Sequence, residues 1–346
     1  CTSANFVIDG DDPTVSSITL ADTSLTVGET TTLTIVFSEA VIAFANADVT
    51  CTKCTITTLT SSDSITWTAT LTPNADTEDT TNTVTIATTY TDRATNAGGV
   101  GTSNNYAIET LAPSVSSITF ADTTLTTGQT SLVTIVFSEA VAAFANADLT
   151  IVNGAMSAVA DSGDATTWTS TYTPTADTED ATNVLTIGTG YTDTAGNAGA
   201  AGTSANYIVD GVDPVITTVS MGDSDLLKGE TTTLTIVFSE AVLAFANEDV
   251  TCGAGSLATM TTNDDITWVG TFTPTANTED DANTCAVATS YTDAYGNGVG
   301  EAQSTANYEV ETQAPSVSSI TFADTTLIEG ETSLVTIIFS EAVAAF

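Results

Sequence analysis

The chain has no histidine, and 3 lysine and arginine residues stand against 43 aspartates and glutamates over 346 positions. Without His there is no Ser-His or Cys-His pair to activate a nucleophile, which excludes the common hydrolase and protease chemistries. Basic side chains are confined to Lys53, Arg93 and Lys228, and the formal charge is −40. Nothing can therefore neutralise phosphate, so nucleic acid and anionic membrane surfaces are not expected partners. Lys53 and Lys228 also cannot supply a Lys-Asn cross-link to every domain of a repeated chain. P-loop and dinucleotide glycine patterns are absent. No apolar run approaches the roughly 18 residues that span a bilayer, and no charged-then-apolar start resembles a signal peptide. An export signal is expected outside this segment.

What is present points to folded domains. Hydrophobic residues make up 42% of the chain, and Val, Ile and Thr are abundant and patterned, unlike the scattered apolar content of acidic disordered chains. Cations are the partners such a charge invites. The composition suits a salty extracellular setting, where screening shortens repulsion to about 10 Å or less.

The organising stretch runs from Thr31 to Thr50 and returns at Ser131–Thr150, Thr232–Thr251 and, cut short, Ser333–Phe346. Within it Leu33, Ile35 and Phe37 alternate with Thr32, Thr34 and Val36, a period that fits a strand with one buried face. Each copy ends two residues past the Phe at a glutamate: Glu39, Glu139, Glu240 and Glu341. Pro13, Pro113, Pro214 and Pro315 mark successive starts. The expected repeats are 13–112, 113–213, 214–314 and an incomplete 315–346, with 1–12 as the last strand and linker of a preceding domain. Cys1-Thr-Ser-Ala-Asn-Phe6 aligns with Gly202-Thr-Ser-Ala-Asn-Tyr207, so Cys1 reads as part of that preceding domain rather than a lipidated N-terminus.

Each unit of roughly 100 residues matches the size of an immunoglobulin sandwich rather than of a helical solenoid repeat. In the first, strands are expected at Val15–Leu20, Leu33–Phe37, from Asp48, near Thr55–Thr60, at Ile65–Leu71 closed by Pro73, at Val84–Ile86 with Tyr90–Asp92, and at Tyr106–Ile108. Asn74–Asn82 reads as an acidic loop. About seven short strands with no helical period predict an all-β, two-sheet antiparallel sandwich. Trp67, Trp168 and Trp268 recur at alternating positions and are expected in the core.

The copies alternate. Pro113–Phe144 and Pro315–Phe346 differ at four of 32 positions (Thr126/Ile328, Thr127/Glu329, Gln129/Glu331, Val136/Ile338). The first and third repeats share the leading linkers Asp9-Gly-Asp-Asp-Pro13 and Asp210-Gly-Val-Asp-Pro214. Cysteines follow the same rhythm, Cys51 and Cys54 in one and Cys252 and Cys285 in the other, which favours pairing within a domain and an oxidising exterior. A redox or zinc role for Cys51-Thr-Lys-Cys54 lacks the second Cys pair, His or helix it would need.

If strands run alternately up and down, carboxylates gather at each junction. Asp9, Asp11, Glu39 and Asp92 meet at the first, and Glu109, Glu139 and Asp193 at the second. Asp210, Asp213, Glu240 and Asp293 meet at the third, and Glu311 and Glu341 at the fourth. Asn96, Asn197 and Asn297 either lend carbonyls or only turn their loops. Like charges at ~4 Å repel by about 1 kcal/mol even in bulk water. Ca²⁺, which takes six to eight hard oxygens in flexible geometry, is the expected ion, ahead of Mg²⁺ with its strict octahedron. The competing reading is a solvated, halophile-like surface, and it is the preferred one for the loop acids Asp76, Glu78 and Asp79. Carboxylate pairs also hydrolyse glycosides, but these recur in every copy, which a junction explains better than a cleft.

Four segments carry a family resemblance: Phe37-Ser-Glu-Ala-Val41, Thr72-Pro-Asn-Ala-Asp-Thr-Glu-Asp79, Tyr90-Thr-Asp-Arg-Ala-Thr-Asn96 and Tyr106-Ala-Ile-Glu-Thr-Leu-Ala-Pro113. With their counterparts they resemble the bacterial Ig-like domains repeated in giant secreted adhesins and other surface proteins. The resemblance implies a stalk stiffened by calcium at the linkers, with Glu39, Asp92, Asn96 and their counterparts at the sites. Thr95 stands where the later repeats have Gly. The resulting expectation is a non-enzymatic extracellular spacer whose partners are neighbouring copies of the repeat. The alternative is a subunit that self-assembles into a filament or surface layer through chain-to-chain contacts.

Overall fold

The computed structural model describes residues 8–298 and 300–345. Of the strand expected at 1–12, residues 1–7, Cys1 included, lie outside that description, and residues 8–12 carry no strand pairing. The chain divides into two compact units. One comprises residues 1–123, 130–173 and 182–208, the other 124–129, 174–181 and 209–346.

In the first unit, the opening repeat is built from β1 (Val15–Leu20), β2 (Ser24–Thr26), β3 (Thr31–Phe37), β4 (Val41–Ile42), β5 (Val49–Cys51), β6 (Cys54–Ile56) and β7 (Thr60–Ser61). It continues with β8 (Thr66–Pro73), β9 (Glu78–Asn82), β10 (Val84–Ile86), β11 (Thr91–Asp92), β12 (Gly101–Thr102) and β13 (Tyr106–Glu109). One layer orders β1-β3-β8-β6, with β7 also on β8. The other is assembled from β2-β13-β9 and β12-β10-β5, and β4 pairs with β11. Register places Ile35 between Ile18 and Trp67, and Leu33, Ile35 and Phe37 are almost fully buried, as their alternation requires. Removing each such side chain from water is worth about 1.5–3 kcal/mol. They share one core with Leu71, Val84, Ile86, Tyr90, Tyr106 and Ile108, so both layers close on the same apolar interior. This is a sandwich.

Three differences from the expected strand plan have physical reasons. Asn74–Asn82 is not all loop: Glu78–Asn82 is β9, paired through its backbone to β13. Its side chains are mostly exposed, so no apolar alternation betrays it. Asp48 does not begin a strand but ends the 3-10 turn Asn46–Asp48, where its carboxylate accepts from the Ala45 N–H at 2.8 Å and from the Thr89 hydroxyl. The sandwich is also not wholly antiparallel, because β2 and β13 run parallel. Trp67 is half-buried rather than sealed inside. Its ring meets Phe44 edge-on at 5.3 Å, and Phe44 packs against Phe37 at 4.9 Å. The same aromatic triad recurs at Phe137, Phe144 and Trp168.

In the second unit, the third repeat copies this plan. Thr232–Phe238 pairs with Ile216–Met221 and Thr267–Pro274, over a core containing Leu234, Ile236, Phe238, Phe272, Tyr291 and Tyr308. The pair Val317–Phe322 and Val335–Phe339 follows. Disulfides distinguish the two repeats. Cys51 and Cys54, with Cα atoms 5.5 Å apart, bridge β5 to β6. Cys252 and Cys285, 4.0 Å apart, face each other across neighbouring strands.

Candidate metal centres

Each leading linker comes to rest against a loop almost one repeat further on. The Asn96 amide donates to the Asp9 carbonyl at 3.4 Å, Asn197 to Glu109 at 3.2 Å, and Asn297 to Asp210 at 3.0 Å. The same amides donate to Asp92, Asp193 and Asp293 at 2.7, 2.6 and 2.7 Å. These asparagines therefore clip the linker to the loop with their nitrogen. The loop itself turns through a left-handed residue, Gly196 at φ 91° and Gly296 at φ 89°; Thr95 adopts the same conformation at φ 77°. A β-branched side chain is strained there, so the first loop keeps the shape at a cost.

The clip brings three carboxylates together at each position: Asp9, Glu39 and Asp92; Glu109, Glu139 and Asp193; Asp210, Glu240 and Asp293. In each trio one oxygen per residue lies within 4.8 Å of the other two. The strand end supplies the glutamate, the β11 position supplies a buried aspartate, and the linker supplies the third. Asp11 and Asp213 stay outside these trios but are near enough that their charges raise the carboxyls of Glu39 and Glu240. Glu311 is raised by its burial first and then by the charges of Glu341 and Glu279.

Like charges this close show in the protonation equilibria. Burial, then Asp9, Asp92 and Asp11, lift the Glu39 carboxyl above its usual value of 4.5. Burial, then Asp193, Glu109 and Glu78, lift Glu139. Glu240 rises furthest, to about 7, through burial and the charges of Asp210, Asp293, Glu179 and Asp213. Desolvation and unbalanced negative charge both favour the neutral acid.

The donor set suits a hard divalent cation. Each trio offers three carboxylates, and in the second trio Glu109 Oε1 and Asn197 Oδ1 are buried with no hydrogen-bond partner. Buried acceptors left without a donor are uncommon and costly; a cation would satisfy both. Asn197 Oδ1 is thus free for a ligand's role while its nitrogen holds Asp193. In the third trio the Asn297 amide also bonds Asp210 Oδ1 at 3.0 Å, and Asp210 is itself buried.

Glu78 and Glu179 have a role that sequence reasoning missed. Glu78 stands opposite Glu109 on the β9 to β13 pair, and its charge raises both Glu109 and Glu139. Glu179 does the same to Asp210 and Glu240. The signal lay in the recurring Thr-Glu-Asp of each repeat, which only strand pairing converts into proximity. Asp79 belongs elsewhere: it pairs with Lys53, the ion pair found among the described residues, which holds its carboxyl down to about 2. Arg93 is exposed.

The fold is thus a series of Ig-like β-sandwiches, each opening on a linker carboxylate. The chain belongs to the bacterial Ig-like domain family, whose sequence pattern matches residues 9–108, 109–209 and 210–310. Among solved structures, the I67–I69 I-band fragment of titin is 9% identical, covering 88% of this chain and 100% of that one with a TM-score of 0.39. The S-layer protein rSbsC is 13% identical over 95% of this chain and 63% of its own, at 0.20. The Yersinia pseudotuberculosis adhesin InvE is 16% identical over 60% and 66%, at 0.23. No curated protein matches the chain. No helix among the described residues is long and apolar enough to cross a membrane.

Proposed function

We propose that the chain is a structural spacer of a secreted or cell-surface protein, and that Ca²⁺ held at the linker carboxylates stiffens successive Ig-like repeats. The observation that carries this reading is the threefold recurrence of one trio: linker acid, strand-end glutamate and loop aspartate. Asp9, Asp11, Glu39 and Asp92 would serve the first site, with Glu109, Glu139 and Asp193 at the second. Asp210, Asp213, Glu240 and Asp293 would serve the third, and Glu311 and Glu341 a fourth. Three or four carboxylates make a site Ca²⁺ can fill with water completing its shell, whereas Mg²⁺ would demand a stricter octahedron. The role is mechanical and needs no catalysis. Neighbouring repeats are the partners.

Calorimetric titration with CaCl₂, paired with small-angle scattering, tests it. Calcium should bind, raise the melting temperature and reduce flexing between repeats, with EDTA reversing both effects. Absence of binding heat together with superimposable scattering with and without EDTA would overturn the reading. A regular lattice of chain-to-chain contacts in electron micrographs would favour the self-assembling filament instead.

A further inference from the structure

A two-layered sandwich leaves strand edges, and the first repeat guards them unequally. β1 ends the β1-β3-β8-β6 layer and has β3 as its strand partner. At six residues it is the longest edge; β9 has five and carries Glu78 and Asp79, and the remaining edge strands run two or three. Exposed edges are normally blunted by charge, proline or brevity. β1 has none of these, since Val15–Leu20 holds no Asp, Glu, Lys, Arg or Pro. The same is true of Val115–Phe120, Ile216–Met221 and Val317–Phe322, each paired on one side alone, in a chain of formal charge −40.

The Ala21 N–H donates to the Thr32 carbonyl at 3.1 Å. Because N–H groups alternate sides along an antiparallel strand, those of Thr19 and Ala21 serve β3, and those of Ile18 and Leu20 point away from the layer together with their carbonyls. Ala121 on Leu132, Gly222 on Thr233 and Ala323 on Leu334, at 2.9, 2.8 and 2.9 Å, set the same alternation in the other copies. Gly101 closes over Val15, where a Cβ at 101 would lie 2.8 Å away. Past that point a cleft of about 90 Å³, lined by Ile18, Thr19, Leu20, Thr23 and Asn104, leaves the edge accessible.

We propose that β1 is a pairing edge for a second copy of this chain, the two β1 strands adding antiparallel about a two-fold axis at Thr19. That axis sets Ile18 against Leu20 of the second copy, and Leu20 against its Ile18, each pair exchanging the N–H···O bonds that the edge leaves unused. Thr19 faces Thr19 on the solvent side, a favourable cross-strand pair, and Ser17 faces Ala21. One patch is thus complementary to itself, as a two-fold contact requires. Charge favours a like chain here and nowhere else along the edges. Asp22, the nearest carboxylate along the strand, falls opposite Ser16, and its two copies stay six residues, about 20 Å, apart, beyond the screening length of about 8 Å at physiological salt. A single strand pair buries far less than the roughly 1,200 Å² of a stable complex, so the contact is transient and calls for trapping. The inference goes beyond the spacer reading: β1 holds no metal ligand, and the pairing needs no calcium.

Disulfide trapping of the whole chain tests it, in a Cys1→Ser background and in EDTA, so that calcium at the linkers plays no part. The solution holds about 1 M NaCl, where screening acts within about 3 Å, so like charge cannot mask the contact. Opposed residues that share no hydrogen bonds have Cα atoms about 4.5 Å apart, within disulfide reach. Thr19→Cys should therefore link to itself on mild oxidation and give a dimer of twice the chain mass, more of it at higher concentration. Ser17→Cys should not, since its two copies stand four residues, about 14 Å, apart along the pair. Thr70→Cys, also exposed and on the same face but on β8, should not either. Leu20→Pro added to Thr19→Cys removes an N–H offered outward and none given to β3, so linkage should fall at least several-fold, with circular dichroism checking that each variant still folds. No linkage at Thr19, linkage at Ser17 or Thr70 as strong as at Thr19, or linkage indifferent to Leu20→Pro would each overturn the proposal.

Discussion

The first and third repeats begin with the same kind of linker and gather the same three carboxylates, yet they hold them differently. In the first, Asp9 is exposed, and the Asn96 amide reaches it at 3.4 Å. In the third, Asp210 is buried and bonded to Asn297 through both its carbonyl and its carboxylate at 3.0 Å, and Glu240 is pushed up to about 7. The carboxylates are alike; what differs is what stands before them in this chain, a whole repeat ahead of Asp210 and only eight residues ahead of Asp9. Burial raises the cost of an unfilled site, and it should raise the value of filling it.

Disulfides offer the largest way to sharpen this contrast. The Cys252–Cys285 bridge spans a sequence separation of 33 and Cys51–Cys54 one of 3. The chain-entropy relation assigns them about 4 and about 1.5 kcal/mol. Replacing both cysteines of the third repeat by alanine should therefore lower its stability well beyond the matching change in the first, as chemical denaturation would record. Similar losses would show that strand pairing already confines the longer loop.

Calcium comes next. At a hundredfold excess over the dissociation constant, a site that binds only the folded state adds about 2.7 kcal/mol. Glu139→Gln should abolish that gain at the second site alone, readable as one fewer site by calorimetry.

The pH dependence of the metal-free protein then separates the repeats. A carboxylate whose folded pKa lies above its unfolded value opposes folding when charged. For Glu240 that opposition is absent below pH 4.5 and complete above about 7. In EDTA the third repeat should lose stability as pH rises across this window, and Glu240→Gln should flatten the loss. Glu39, whose shift is in the same direction, should give a weaker slope in the first repeat. Calcium should reverse the trend, because it binds the charged form.

The smallest effect concerns one loop. Thr95 holds φ 77° where Gly196 holds 91°, so Thr95→Gly should stabilise the first repeat by about 1 kcal/mol, measured by thermal melting. No gain would mean that the threonine side chain finds compensation.

Much of the sandwich was legible in the sequence because its central strands bury one face. Leu33, Ile35 and Phe37 in β3, and Ala69 and Leu71 in β8, announce themselves by alternation. β9 did not, since of Glu78–Asn82 only Asn82 is buried, and the strand exists through backbone pairing. β2 escaped for the same reason, with Leu25 its one buried side chain. The trios were anticipated at the strand-end glutamates, the loop aspartates and the linker acids. The division of labour among their neighbours was not. Asp48 closes the 3-10 turn ahead of β5 and spends its oxygens on the Ala45 and Thr89 donors, and the Asn96 nitrogen turned out to be the working atom. Such choices depend on rotamer and partner, which spacing does not encode.

The asparagine clip also orders events in time. Asn96 reaches back 87 residues, Asn197 88 and Asn297 87, so the start of each nascent repeat waits for almost the whole of that repeat before it gains this contact. Closing such long loops comes late, since the entropy of closure precedes its reward. Repeats emerging one after another should consequently mature singly and in succession, each sealing its own beginning as its final turn appears.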